Sequence, residues 1–77
     1  MIGKYTTERA AKRGHCNEGN CIVEFGNRGN RSYDWFPQGH PIGEFDSNGS
    51  GNFVKATNFT IIARAYKRAN GDVVWRS

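Results

Sequence analysis

Short runs of β-branched and aromatic residues alternate with stretches rich in Gly and Asn along this chain. Residues 21–25 (Cys-Ile-Val-Glu-Phe) and 32–36 (Ser-Tyr-Asp-Trp-Phe) have the composition of strands. The tandem Gly-Asn-Arg sequence between them is typical of a turn. We therefore predict a β-hairpin over residues 21–36. By the two-residue period of a strand, Tyr33 and Trp35 lie on one face of this hairpin.

The C-terminal segment is compatible with two structures. As a strand it places Phe59, Ile61, Ala63 and Ala65 on one face and Thr60, Ile62, Arg64, Tyr66 and Arg68 on the other. As a helix it begins at Asn58 and ends at Asn70-Gly71. We favour the strand, because Thr-Ile-Ile is β-branched and because Val73-Val74-Trp75 needs a partner. A two-residue Asn70-Gly71 turn then pairs Tyr66 with Trp75.

A short helix is predicted near the N-terminus, over residues 6–14. Thr6 or Thr7 can cap its first turn, and Glu8 suits the positive end of the helix dipole. Gly14 can adopt the left-handed conformation that ends a helix. Two turns do not persist alone in water, so this helix must pack on the rest of the chain or fray.

These elements predict a mainly β fold, or a small α+β fold, in a chain of 77 residues that is long enough for one domain. The expected architecture is a four-stranded antiparallel sheet of two hairpins with a short N-terminal helix and a long central loop. Its parts are a basic N-terminal arm with the helix (1–20), the first hairpin (21–36), an acidic Gly-rich loop (37–51) and a basic C-terminal hairpin (52–77).

Charge is distributed unevenly along the chain, whose net charge is +4. Residues 32–54 contain no Lys or Arg, whereas the segments on either side are basic. A basic protein attracts nucleic acid or acidic protein surfaces; the alternative is that the charge only keeps a small protein soluble. There is no apolar run long enough for a membrane span or a secretory signal, so we expect a cytoplasmic protein with no membrane partner.

Four potential metal ligands occur in the chain: His15, Cys16, Cys21 and His40. Their spacing matches no standard zinc pattern, and the adjacent ligands His15 and Cys16 seldom both reach one ion. A disulfide between the two cysteines is geometrically reasonable but closes only a small loop. Reduced thiols are the common state in the cytosol. We therefore predict neither a metal nor any other cofactor.

Catalysis has little support in the sequence. Residues 46–51 match the first half of a calcium loop, but Thr57 stands where the bidentate Glu is required, which favours a plain turn. No local motif orients a histidine or cysteine for nucleophilic chemistry, and no Gly-rich phosphate loop leads into a helix. A chain of this size also has difficulty enclosing a small-molecule substrate. The expectation is a binding protein and not an enzyme.

Basic residues interleaved with aromatic residues form the leading candidate site. The predicted set is Arg28, Arg31, Tyr33, Trp35, Arg64, Tyr66, Lys67 and Arg68; Arg76 is a further cation of the second hairpin. Such a surface binds single-stranded nucleic acid, because cations follow the phosphates while rings stack on bases. The alternative is that the rings form the core and the cations its solvated rim. The chain has none of the motifs of the RRM, cold-shock, zinc-finger or homeodomain signatures.

A second hypothesis is an inhibitor or adaptor of the kind encoded by phages and mobile elements. It would dock on a host complex that processes nucleic acid, through the basic face, a sheet edge or an acidic segment. The acidic candidates are Asp34, Glu44 and Asp46. Direct nucleic-acid binding requires cations and exposed rings on one continuous face, whereas protein docking requires an apolar patch or a free edge.

Overall fold

Four strands form one antiparallel sheet in the computed structural model, which describes residues 3–45 and 51–77. The elements are α1 (Glu8–Lys12), β1 (Asn20–Asn27), β2 (Asn30–Pro37), β3 (Gly43–Phe45), β4 (Phe53–Lys55), β5 (Phe59–Lys67) and β6 (Val73–Arg76). The sheet has the order β2-β1-β5-β6, and β3 and β4 pair separately. The prediction of a mainly β fold built on two antiparallel hairpins is confirmed. The strand interpretation of residues 59–67 is confirmed with it.

The central strand β1 is buried on both faces. Its consecutive residues Cys21, Ile22 and Val23 are all buried, as expected for a strand covered on each side. On one side, the helix face, Ile22 packs with Ala11 of α1 and Ala63 of β5. On the other side, the groove face, Cys21 and Val23 form a cluster with Phe25. The short helix thus docks on the sheet and does not stand alone.

The first hairpin is longer than predicted, because pairing continues from Asn20–Pro37 to Asn27–Asn30. Its turn therefore consists of Arg28 and Gly29. Tyr33 and Trp35 share a face, as predicted. It is the helix face, where both pack against the Ala11–Ile22–Ala63 cluster.

A β-bulge in β5 changes the faces predicted for that strand. Ile61 pairs with Val23 and Ala63 pairs with Ile22, so Ile62 is an extra residue on β5. Ile61 packs on the groove face, whereas Ile62 and Ala63 both belong to the helix face. The predicted apolar face that joined Phe59 and Ile61 to Ala63 and Ala65 is therefore wrong.

The second hairpin also differs from the prediction by one residue. Pairing runs from Arg64–Arg76 to Lys67–Val73, and the Arg68 backbone N–H donates to the carbonyl of Asp72. Three residues, 69–71, form the loop, in which Gly71 has φ +95° and takes the left-handed position. Tyr66 is consequently opposite Val74 and not opposite Trp75. The two rings lie on different faces of the sheet.

The N-terminal helix begins as predicted but ends differently. The Thr7 hydroxyl oxygen accepts a hydrogen bond from the Ala10 backbone N–H at 3.1 Å and caps α1. The left-handed residue after the helix is His15, with φ +62°, and not Gly14. α1 has only five residues, and no helix in the described ranges is long and apolar enough to cross a membrane.

Residues 37–51 were predicted to be a loop, but part of this segment forms a second small sheet. β3 pairs with β4 from Gly43–Lys55 to Phe45–Phe53. Gly43 is required there because a Cβ would collide with the backbone of β4. Ring contacts run from this hairpin to the main sheet through Phe45, Phe53, His40, Phe36, Phe25 and Phe59. The segment that matches half of a calcium loop, and that was predicted to be a plain turn, falls mainly on residues 46–50, outside the described residues.

Candidate functional site

Arg64, Tyr66 and Arg76 lie together at the β5–β6 end of the groove face. Arg64 and Arg76 are directly opposite each other in the antiparallel register, so their side chains leave the same face. Tyr66, two residues after Arg64, shares that face. The guanidinium carbon of Arg76 lies 5.0 Å from the centroid of the Tyr66 ring, within the range of a cation–π contact. We call these three residues the Arg–Tyr site.

The charges of the Arg–Tyr site are not neutralised by carboxylates in the described part of the chain. The ion pairs found there join Lys12 to Glu8 and Arg31 to Glu24, and neither involves Arg64 or Arg76. Like charges directly opposite each other destabilise a sheet. An exposed pair of guanidiniums without an acidic partner is therefore a site that an anion would stabilise.

Two open grooves meet at Arg64. One, of about 310 Å³, is lined by the three residues of the Arg–Tyr site and by Gln38. The other, of about 410 Å³, is lined by Arg64 with Cys21, His40 and Phe59 among others. Tyr66 is 46% exposed and Phe59 is 40% exposed. The face thus combines cations with accessible rings, as nucleic-acid binding requires.

Another cleft, of about 440 Å³, lies at the other end of the sheet. Small polar side chains such as Asn30, Ser32, Thr57 and Asn58 line it beside Phe25. None of its lining residues carries a charge. It therefore does not have the chemistry of an anion site, despite its volume.

Cys21, in the second groove, is a structural thiol. It is 3% exposed, and its Sγ donates to the Phe36 carbonyl at 3.2 Å. Burial raises the pKa of the Cys21 thiol, and the nearby charge of Arg64 opposes that rise only in part. A thiol held in its neutral form is a poor nucleophile.

The predicted residues of β2, which are Arg31, Tyr33 and Trp35, lie on the helix face, away from the Arg–Tyr site. The Tyr33 hydroxyl donates to Glu24 Oε2 at 3.1 Å, and Arg31 Nη1 lies 3.9 Å from the same oxygen. Burial raises the pKa of Tyr33, and so do the hydrogen bond to Glu24 and the negative charge of the Glu24 carboxylate. The ring of Trp35 is stacked at 4.3 Å on that of His15, with 16° between the planes.

The other predicted cations are also dispersed. Arg28 is in the β1–β2 turn, and β5 runs away from that end of the sheet. Lys67 pairs with Val73 on the helix face, while Arg68 follows the last residue of β5. Of the eight residues in the predicted set, the structure brings only Arg64 and Tyr66 together with Arg76. Arg68 directly follows the C-terminal end of β5.

The four potential zinc ligands are not gathered in the structure. His15 stacks on Trp35, and Cys16 Sγ donates to the Val73 carbonyl at 3.4 Å. Cys21 and His40 line the groove on the opposite face. Residues 3–45 and 51–77 contain no cluster of three or more metal-ligating side chains. Both cysteines are free thiols.

The acidic candidates are in separate elements. Asp34 is in β2, where its carboxylate accepts from the Trp35 backbone N–H at 2.8 Å. Glu44 is exposed in β3. Asp46 lies outside the described residues.

Sequence reasoning missed Phe59 and Gln38 as site residues. The bulge at Ile62 places Phe59 on the same face as Arg64, and no local pattern marks that bulge. Gln38 reaches the site because its backbone N–H donates to the Gly19 carbonyl and fixes the end of β2 beside β1. Neither protein families, nor curated proteins, nor solved structures match this chain.

Proposed function

We propose that this protein is a non-enzymatic module that binds single-stranded nucleic acid through the groove face. The observation that supports the proposal most directly is the Arg–Tyr site. It presents two guanidiniums without carboxylate partners in the described residues, next to an exposed ring. Arginine pairs bidentately with phosphate, and stacking of a base on an aromatic ring contributes about 1–3 kcal/mol.

The arrangement favours a single strand over a duplex. The rings of Tyr66 and Phe59 lie on a sheet surface, and a ring in that position can stack only on a base that is already unpaired and exposed. A duplex offers phosphates to the guanidiniums but no ring faces to the aromatics. Single-strand preference follows from the use of both kinds of side chain.

The exposed rings define the length of the ligand. From Phe59 to Tyr66 the β5 strand advances by about six sheet positions, because Ile62 is a bulge, and therefore extends about 20 Å at roughly 3.3 Å per position. Arg64 lies between these rings and lines both grooves. A ligand that contacts both rings and the cation between them must contain several nucleotides.

The test is fluorescence anisotropy with a labelled single-stranded oligonucleotide that carries no terminal phosphate. The variant Arg64→Ala/Arg76→Ala removes both cations of the Arg–Tyr site, and the matched control Arg28→Ala/Lys67→Ala removes the same charge elsewhere. We expect the first variant to lose most of the affinity and the control to lose little, with circular dichroism verifying that both are folded. Equal losses would attribute binding to net charge alone and contradict the proposal.

A second candidate function is docking on a host protein complex, and one feature favours it. The β3–β4 hairpin exposes 71% of Phe45 and 52% of Val54, and phenylalanine is enriched in the buried cores of protein–protein interfaces. The same assay separates the two functions. A folded parent protein without affinity for single-stranded oligonucleotides would remove the first proposal and leave the docking function.

A further inference from the structure

We infer that Arg64 and Arg76 hold one shared phosphate, so that the Arg–Tyr site is a one-nucleotide subsite with Tyr66 as its base platform. The inference rests on the proposed function and makes it specific. It assigns the two guanidiniums to the same phosphodiester group of the strand and not to two successive ones.

The register of the second hairpin is the first reason. Residues directly opposite in an antiparallel pair have Cβ atoms about 4.5–5.5 Å apart. Arg64 and Arg76 are such a pair, on the same face. Two side chains of this length that start so close can meet at a single oxyanion, whose several oxygens accept from two forked guanidiniums.

The unfavourable charge arrangement of the free protein is the second reason. Like charges on opposed residues repel each other, and neither Arg64 nor Arg76 forms an ion pair with a carboxylate among the described residues. A single phosphate placed between the two charges converts a repulsion into two attractions. Two phosphates, one on each arginine, would put the negative charges close together as well.

The ring and the amide beside the arginines are the third reason. Arg76 contacts the Tyr66 ring at 5.0 Å, which couples the position of the phosphate-binding cation to that of the ring. The ring keeps enough exposed surface to receive a base. Gln38 lines the same groove of about 310 Å³, and its amide provides both a donor and an acceptor for a base edge.

The salt dependence of binding measures how many phosphates are contacted. For a single strand, the slope of log affinity against log salt falls in magnitude by about 0.7 for each phosphate contact that is lost. The measurement compares the parent with Arg64→Ala, Arg76→Ala and the double variant, on the oligonucleotide without terminal phosphates. Arg28→Ala is the matched control, from the opposite end of the sheet.

With a shared phosphate, each single variant keeps one cation on that phosphate. We therefore expect each single change to leave the slope nearly unchanged and the double change to lower it by about 0.7. A loss of about 0.7 in each single variant and about 1.4 in the double would show two separate phosphates and overturn the inference while the proposed function stands. A parent protein that does not bind the oligonucleotide would overturn both.

Discussion

Trp75 and Tyr66 are neighbouring aromatic residues of the second hairpin with different expected roles. We expect Trp75 to stabilise the fold and Tyr66 to bind the oligonucleotide. The hairpin predicted from Asn70-Gly71 places both rings together, whereas the structure places them on opposite faces. Trp75 packs against the Ala11–Ile22–Ala63 cluster, and its indole N–H donates to the Lys12 carbonyl at 2.9 Å. This hydrogen bond joins β6 to the last turn of α1.

These contacts determine how much each substitution should change the free energy of unfolding and the affinity for the oligonucleotide. Trp75→Phe removes the indole donor and leaves the part-buried Lys12 carbonyl without it, at a cost of about 1–3 kcal/mol in the free energy of unfolding. Tyr66→Leu removes the stacking platform but keeps an apolar side chain at an exposed position. It should change the free energy of unfolding little and weaken oligonucleotide binding by about 1–3 kcal/mol, which is about 5- to 150-fold.

Urea unfolding followed by circular dichroism measures the first effect, and anisotropy measures the second under conditions where both variants are folded. We expect the two variants to have opposite profiles. Trp75→Phe should be less stable and bind like the parent, while Tyr66→Leu should be stable and bind weakly. If Trp75→Phe weakens binding as much as Tyr66→Leu at an equal folded fraction, the assignment of faces is wrong.

Two further predictions concern the first hairpin and the thiols. Gly29→Ala should lower the free energy of unfolding by about 1–2 kcal/mol, because the backbone there is left-handed. Gly26→Ala adds a collision with the Asn30 carbonyl oxygen and should lower it further in urea unfolding. Equal losses of stability in the two variants would refute this difference in packing. In the native protein a thiol reagent should modify Cys16 well before Cys21, because Cys21 is buried and its pKa is raised. Both thiols should react at similar rates in denaturant, and similar rates without denaturant would count against the buried position.

The sequence predicts the elements of this fold better than their faces. β-branched residues and turns that contain Gly and Asn identify both hairpins, and the Thr6-Thr7 pair identifies the start of α1, because these signals are local. The positions of Tyr66 and Trp75 depend instead on a three-residue loop that differs from the common two-residue Asn-Gly turn by one position. The short β3 and β4 strands lack any strong strand signal of their own, and the Phe53 ring is linked to Phe36 of the main sheet through the His40 ring.

In the candidate site too, local relations could be predicted from the sequence and long-range ones could not. Arg64 and Tyr66 are two residues apart on one strand, so their proximity could be predicted. Their separation from Tyr33 and Trp35 could not, because it depends on which residues of β1 and β5 face each other. That pairing is a long-range property, and the bulge at Ile62 alters it without any Gly or Pro to mark the position.

The extra residue at Ile62 also determines which changes in chain length this protein can accept. Deleting Ile62 would remove the bulge and leave Ile61 and Ala63 on their present faces, because they already pair with the consecutive residues Val23 and Ile22. Deleting a residue after the bulge, such as Ala65, while the pairing of Arg64 is retained would instead turn Tyr66 onto the helix face. Single-residue deletions in β5 at positions other than the bulge should consequently be eliminated by selection far more strongly than substitutions at the same positions, whereas a deletion at Ile62 or a change in the length of the loop at residues 69–71 does not exchange the two faces of β5.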